Sequence, residues 1–384
     1  MITGTAAIFL ACLAQPQPGT GPMLVAQRGG EPAFEAIDAS MTDAGLSCVL
    51  DGQRRVFGWD KVRDVSGPGA GDFEQFRALA DALWRARFRI ERGDFGGAEP
   101  LLDAVAARYE KGVGPSAAVV HAGLVRCRVE RGAAASAVLP WLRLVAAGED
   151  ISVVGSVLNR GKFGAALVDQ EYLLAPKLPP IWIDLAAARA LARAEWPAES
   201  EAADAPSLRR ASTLATLYLR SLRDELGEPV SGDLPSAGGD QGVTLVRQVV
   251  AARVGSLEER AQAREGLRAR LAKSPPVWVR AWVNAGIGRS LLRESAEEER
   301  LLGIGYLLEV VATTPDASEQ LTGVCYAEAA VALADMGYKE SAERLRRELA
   351  STLPGHPALE WVPLRRIGAA KAATDAGAAV GGSK

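Results

Sequence analysis

The chain has 384 residues, of which 48% are apolar, 24% charged and 6% aromatic, a balance that fits packed globular units and excludes a disordered chain. Forty-four basic against 47 acidic side chains leave a net charge of -3, so there is no overall positive field to gather nucleic acid or anionic lipid. Two histidines and four cysteines give little material for metal sites or general bases, and the sequence implies no cofactor and no metal.

Residues 1–26 read as a signal peptide and linker. The apolar run Ala6 to Ala14 has the length of a signal h-region and is far short of the roughly 20 residues that span a bilayer, so no transmembrane span is expected there. Export to the periplasm or envelope follows if the run acts as a signal, and a cytoplasmic location if it does not. Phe9-Leu10-Ala11-Cys12 also resembles a bacterial lipobox, which would make Cys12 a lipidated residue. The other cysteines, Cys48, Cys127 and Cys325, lie far apart in apolar surroundings and read as small buried hydrophobes.

Residues 33–65 change character and predict a small β module. Short apolar runs around Phe34 to Ile37, Leu46 to Leu50 and Arg55 to Phe57 are separated by turn residues. Asp51-Gly52 has the chemistry of a two-residue type I′ hairpin. Trp59 and Val62 are expected to plug the module, and the ending Trp59-Asp60-Lys61-Val62 resembles the closing strand of an SH3-like or Sm-like barrel. Residues 66–71 read as a linker.

From residue 73 onward the spacing is helical, and the chain repeats itself. Arg87-Phe88-Arg89-Ile90-Glu91-Arg92-Gly93 returns as Arg126-Cys127-Arg128-Val129-Glu130-Arg131-Gly132, a period of 39 residues. Lys177-Leu178-Pro179-Pro180-Ile181-Trp182-Ile183 returns as Lys273-Ser274-Pro275-Pro276-Val277-Trp278-Val279, and each Pro-Pro predicts a helix start. These junctions predict helical hairpins at 73–111, 115–147, 150–175, 181–226, 240–273, 277–313 and 316–353. They form a first array over 73–226 and a second over 240–354, and the Gly/Ala-rich residues 368–384 read as a disordered tail.

In the last hairpin Tyr326, Ala330, Leu333, Gly337, Ala342 and Pro354 stand at the spacing of the tetratricopeptide repeat. The chain therefore resembles a divergent tetratricopeptide-repeat protein, with Arg346 where that family places a large aromatic. The resemblance implies a mainly α fold, an α-solenoid of helical hairpins, carrying the small N-terminal β segment. It further implies that the first helix of each hairpin lines a concave groove for a protein or peptide partner. Trp84, Arg87, Glu91, Arg126, Glu130, Glu328 and Asp335 would then face that groove. Arg87/Glu91 and Arg126/Glu130 also read as plain i,i+4 ion pairs.

Catalytic motifs are missing. Gly155 to Lys162 has the wrong glycine spacing for a phosphate loop and Phe163 in place of its Ser or Thr. Gly286-Ile287-Gly288 and Gly303-Ile304-Gly305 lie inside helical runs and fit close helix packing better than a dinucleotide site. The expectation is a non-enzymatic scaffold or adaptor. The alternative is a ligand- or glycan-binding or catalytic pocket shared by Trp59, Trp84, Arg85 and His121, between the β module and the first hairpins.

Overall fold

A computed structural model describes residues 21–148, 167–197, 205–230 and 232–367. The N-terminal apolar run with Cys12, most of the predicted hairpin 150–175, the acidic loop after Glu199 and the tail 368–384 lie outside the described residues. The fold is mainly helical, with a small antiparallel five-stranded sheet at the N-terminus.

The strands are β1 (Met23–Gln27), β2 (Phe34–Thr42), β3 (Gly45–Leu50), β4 (Gln53–Phe57) and β5 (Val62–Ser66), in the order β4-β3-β2-β1-β5. Asp51 and Gly52 join β3 to β4 with φ of +53° and +76°, the left-handed pair that a type I′ turn needs. The sheet begins ten residues earlier than the sequence suggests. β1 reads as linker because it is short, yet it sits between β2 and β5 and is held by its neighbours' ladders rather than by its own pattern.

Trp59 follows β4 in a single 3-10 turn and is fully buried, stacked on Phe76 at 4.6 Å with its Nε1 donating to the Thr42 carbonyl. The module docks on α1 (Glu74–Glu91) and α3 (Pro115–Glu130). The Trp59 amide donates to Ser116 Oγ at 3.0 Å, and Tyr109 OH donates to the Asp43 carbonyl at 3.0 Å. One apolar core runs from Met23 and Val25 through Phe73, Leu83 and Leu102 to Leu124 without a break.

Asp60 completes this junction. Its side chain is 2% exposed and takes Arg87 Nη1 at 2.8 Å, while Arg87 Nε donates to Glu91 at 3.0 Å. Burial lowers the affinity of Arg87 for its proton, but Asp60 and Glu91 outweigh it and raise the pKa. Arg87→Ala strands a buried carboxylate and should lower stability by about 2–3 kcal/mol, read as a lower guanidinium midpoint in Trp fluorescence. An unchanged midpoint would mean that water, not Arg87, satisfies Asp60.

The remaining helices are α2 (Phe95–Ala106), α4 (Ala134–Ala146), α5 (Leu185–Ala192), α6 (Pro206–Glu225), α7 (Gln241–Val254), α8 (Leu257–Leu271), α9 (Val277–Leu291), α10 (Glu297–Thr313), α11 (Glu319–Asp335), α12 (Lys339–Thr352) and α13 (Val362–Arg366). Most pack against the next in chain order, and α1 with α3, α7 with α9 and α9 with α11 pack across one intervening helix. Gly93 and Gly132 follow α1 and α3 at φ of +78° and +76°, the left-handed stop that ends each helix before a short turn. Gly288 of α9 and Gly303 of α10 face each other so closely that a Cβ on either would lie under 3 Å from the other's carbonyl oxygen, so these glycines serve helix crossing.

One prediction fails in an informative way. The second Pro-Pro copy does start a helix, with Pro276 capping α9. The first does not: residues 167–184 are irregular, and α5 begins only at Leu185, where Asp184 caps the amides of Ala186 and Ala187. Leu178, Ile181, Trp182 and Ile183 are all buried in this irregular stretch. Its carbonyls are claimed by side chains from other helices, which replaces the ladder that a helix would supply. Tyr218 OH donates to Leu178, Ser221 Oγ to Pro180 and Trp282 Nε1 to Pro176.

Candidate functional site

An open concavity lies where the end of α3 meets three stretches distant in sequence. The last turn of α3 supplies Val125, Arg126, Val129 and Glu130. Asp169 and Lys177 come from the irregular stretch, Trp278 from the first turn of α9, and Asp316 from the 3-10 turn Pro315–Ala317. The cavity holds about 420 Å³. A second hollow of about 470 Å³ shares Val129, Glu130, Lys177 and Asp316 with it and continues to Glu319, Gln320 and His356. The two make one cleft of the size that takes small molecules or a peptide segment.

Its walls are fixed. Asp169 accepts the amides of Glu171 and Tyr172 at 3.0 and 2.9 Å through Oδ1, and its Oδ2 takes Trp278 Nε1 at 3.1 Å. The Trp278 ring stands edge-on to Tyr172 and to Trp282, at 5.3 and 5.1 Å. Arg126 is buried and its Nε lies 3.2 Å from Glu130 Oε1, with Phe95 under its guanidinium at 5.8 Å. Lys177, Asp316 and Glu319 are exposed at the rim. The floor is apolar and the rim carries both signs of charge, which suits orientation of a partner more than chemistry on it.

Among the described residues the histidines and cysteines are committed to structure. His121 is 1% exposed; its Nε2 lies 2.9 Å from the Tyr109 carbonyl, and burial pulls its pKa down to about 4, so the ring is neutral. His356 accepts the Ala358 amide at Nδ1 and donates from Nε2 to the Gln320 carbonyl, bracing the cleft wall. Cys48, Cys127 and Cys325 are free thiols, all buried, and burial pushes each upward, Cys127 to about 12. A thiol so placed is a poor nucleophile at neutral pH. Among the described residues no three His, Cys, Asp or Glu side chains are grouped to hold a metal ion, and no helix is long and apolar enough to cross a membrane.

The seven residues expected on one groove fall into five places. Arg126 and Glu130 line the cleft. Arg87 and Glu91 hold the β module through Asp60. Trp84 lies on another face of α1, stacked on Phe88. Glu328 is buried and paired with Arg289, and Asp335 is exposed at the end of α11. The alternative pocket is not assembled either: Trp59 and His121 are sealed inside the core, whereas Arg85 is exposed. Asp169, Lys177, Trp278 and Asp316 escaped sequence reasoning because they converge only through tertiary packing; the repeated Pro-Pro motif marks Lys177 and Trp278 as parts of helix junctions and not as neighbours.

Compared with protein families, curated proteins and solved structures, the chain matches none.

Proposed function

We propose that this protein is a non-enzymatic scaffold or adaptor, a divergent tetratricopeptide-like array exported to the bacterial envelope, that receives a segment of a protein partner. The observation that carries the reading is the cleft at the end of α3, with an apolar floor of Val125, Val129 and Trp278 beneath a rim of mixed charge. The burial of His121, His356 and all three described cysteines supports a binding role over a catalytic one. Packing of α1 with α3, α7 with α9 and α9 with α11 across one intervening helix is the contact pattern of stacked hairpins and supports the solenoid. The strand order, with a 3-10 turn before the last strand, likewise supports an SH3-like module.

The test is a crosslinking pull-down from envelope extract with the full chain and the rim variant Lys177→Glu/Asp316→Lys. Both residues are exposed at the rim, so the variant should fold with an unchanged melting midpoint. A protein held by the wild-type chain should fall about tenfold or more in yield with the variant. Equal yields from both would remove the cleft from the reading.

A further inference from the structure

The 39-residue echo carries α1 onto α3 and shows what the outer face of α1 lacks. Trp84 and Phe88 correspond to Gly123 and Cys127, and Asp81 and Arg85 correspond to Val120 and Leu124. In α3 all four of these positions are buried or packed shut: Val120, Leu124 and Cys127 are at most 2% exposed. A Cβ on Gly123 would stand 2.6 Å from Leu102 of α2 and 3.1 Å from Ile90 of α1. This face of α3 is therefore where the preceding helical pair packs. Among the described residues no helical pair precedes α1, and the β module packs mainly on a different arc of it, through Phe76, Leu79, Ala80 and Leu83.

A terminal face of this kind is ordinarily made polar. Here it carries two aromatic rings. Trp84 and Phe88 stack one turn apart with centroids at 5.8 Å, and Phe88 is 38% exposed. Arg28 lies over Trp84 at 5.8 Å and Arg92 over Phe88 at 3.9 Å, so the stack ends in a guanidinium at each side. Arg28 is neutralised by Asp81. Among the described residues Arg85 and Arg92 have no carboxylate partner, and both are exposed.

We infer that this face of α1 docks an acidic amphipathic helix of a partner protein, which completes the packing that the preceding hairpin supplies to α3. The apolar stripe of the incoming helix lies on Trp84 and Phe88, and its flanking carboxylates meet Arg85 and Arg92. Charge argues against a second copy of this chain on the same face, since two such patches would bring unneutralised guanidiniums together. The face is separate from the cleft at the end of α3, so an adaptor of this form has two docking surfaces.

The probe is a labelled designed helix with a leucine stripe flanked by glutamates, together with its twin carrying lysines instead, titrated against the full chain by fluorescence anisotropy. The glutamate helix should bind, with affinity falling as salt rises, and the lysine twin should not. Phe88→Ser should weaken binding about tenfold, and Arg85→Glu/Arg92→Glu should turn the preference toward the lysine twin. The cleft variant Lys177→Glu/Asp316→Lys should bind the helix like wild type, which separates this inference from the cleft. Equal binding of both helices, or none, overturns it. So does a wild-type dimer in sedimentation that Phe88→Ser dissolves, because the occupant is then a second copy.

Discussion

Replacing Arg289 with Met should destabilise the protein by about 3–5 kcal/mol, because it leaves buried carboxylates without their partner. Arg289 stands in the last turn of α9 with its side chain 3% exposed, and its Nε meets Glu328 of α11 at 2.8 and 2.9 Å. Its Nη2 meets Glu225 at 2.6 Å, the last residue of α6. Asp224 sits beside Glu225 and takes Arg293 at 2.6 Å and Arg253 of α7 at 3.5 Å. Three arginines and three carboxylates thus tie α6, α7, α9 and α11 together, with no net charge.

The carboxylates of α6 depend on this arrangement. They lie at a helix C-terminus, where the macrodipole disfavours negative charge, and both are nearly buried. Burial alone would raise the pKa of Glu225; Arg289 and Arg253 reverse that and hold it below the usual range. Taking away Arg289 leaves Glu225 and Glu328 sharing what remains of the positive charge. Urea unfolding of Arg289→Met should show the loss as a lower midpoint at unchanged slope. Arg289→Met/Glu328→Leu should recover part of it, because an apolar pair in a buried site is often no worse than the ion pair it replaces. A cost under about 1 kcal/mol for the single change would show that water already reaches the cluster.

Much of this architecture is legible in the sequence, and the exceptions share a cause. The Asp51-Gly52 hairpin, the plug at Trp59 and the starts of α3 and α9 after Pro or Pro-Pro follow from local chemistry, and local chemistry is enough. The Lys177 to Ile183 segment has nearly the same letters as the one that opens α9, yet it runs irregular. Its apolar run satisfies either conformation, and the choice falls to Tyr218, Ser221 and Trp282, which reach its carbonyls from helices about 40 and 106 residues further on. Arg87 and Arg126 are legible as partners of Glu91 and Glu130, four residues along the same helix. What the pattern leaves out is the third member: Asp60 lies 27 residues before Arg87 and turns an intrahelical pair into a domain clamp. The cleft is less legible still, since its walls come from four segments: Arg126 and Glu130 belong to one repeated motif, Lys177 and Trp278 to the two copies of another, and nothing in either motif brings them together.

Acid should destabilise the fold through His121 well before the carboxylates titrate. The ring lies in the core with Nε2–H donated to the Tyr109 carbonyl, and Nδ1 has no hydrogen-bond partner. A second proton would place a buried donor against apolar atoms, with Arg143 near enough to oppose the charge. The unfolded chain accepts that proton near the ordinary imidazole value of 6.5, whereas burial brings the folded chain's value down to about 4. Between these values the unfolded state holds more protons, so stability rises with pH and falls as acid is added. The slope from this one group approaches about 1.4 kcal/mol per pH unit, and the loss totals about 3 kcal/mol once the pH is well below 4. His356, lowered by burial in the same direction, adds to the slope. Glu225 and Glu99, whose folded pKa values are depressed, take over only as the pH falls below the ordinary carboxylate value. His121→Gln keeps an amide donor for the Tyr109 carbonyl and removes the titration. Urea midpoints measured from pH 7 to 4 should fall less steeply for this variant than for the wild-type chain. Parallel curves for the two proteins would place the acid sensitivity elsewhere.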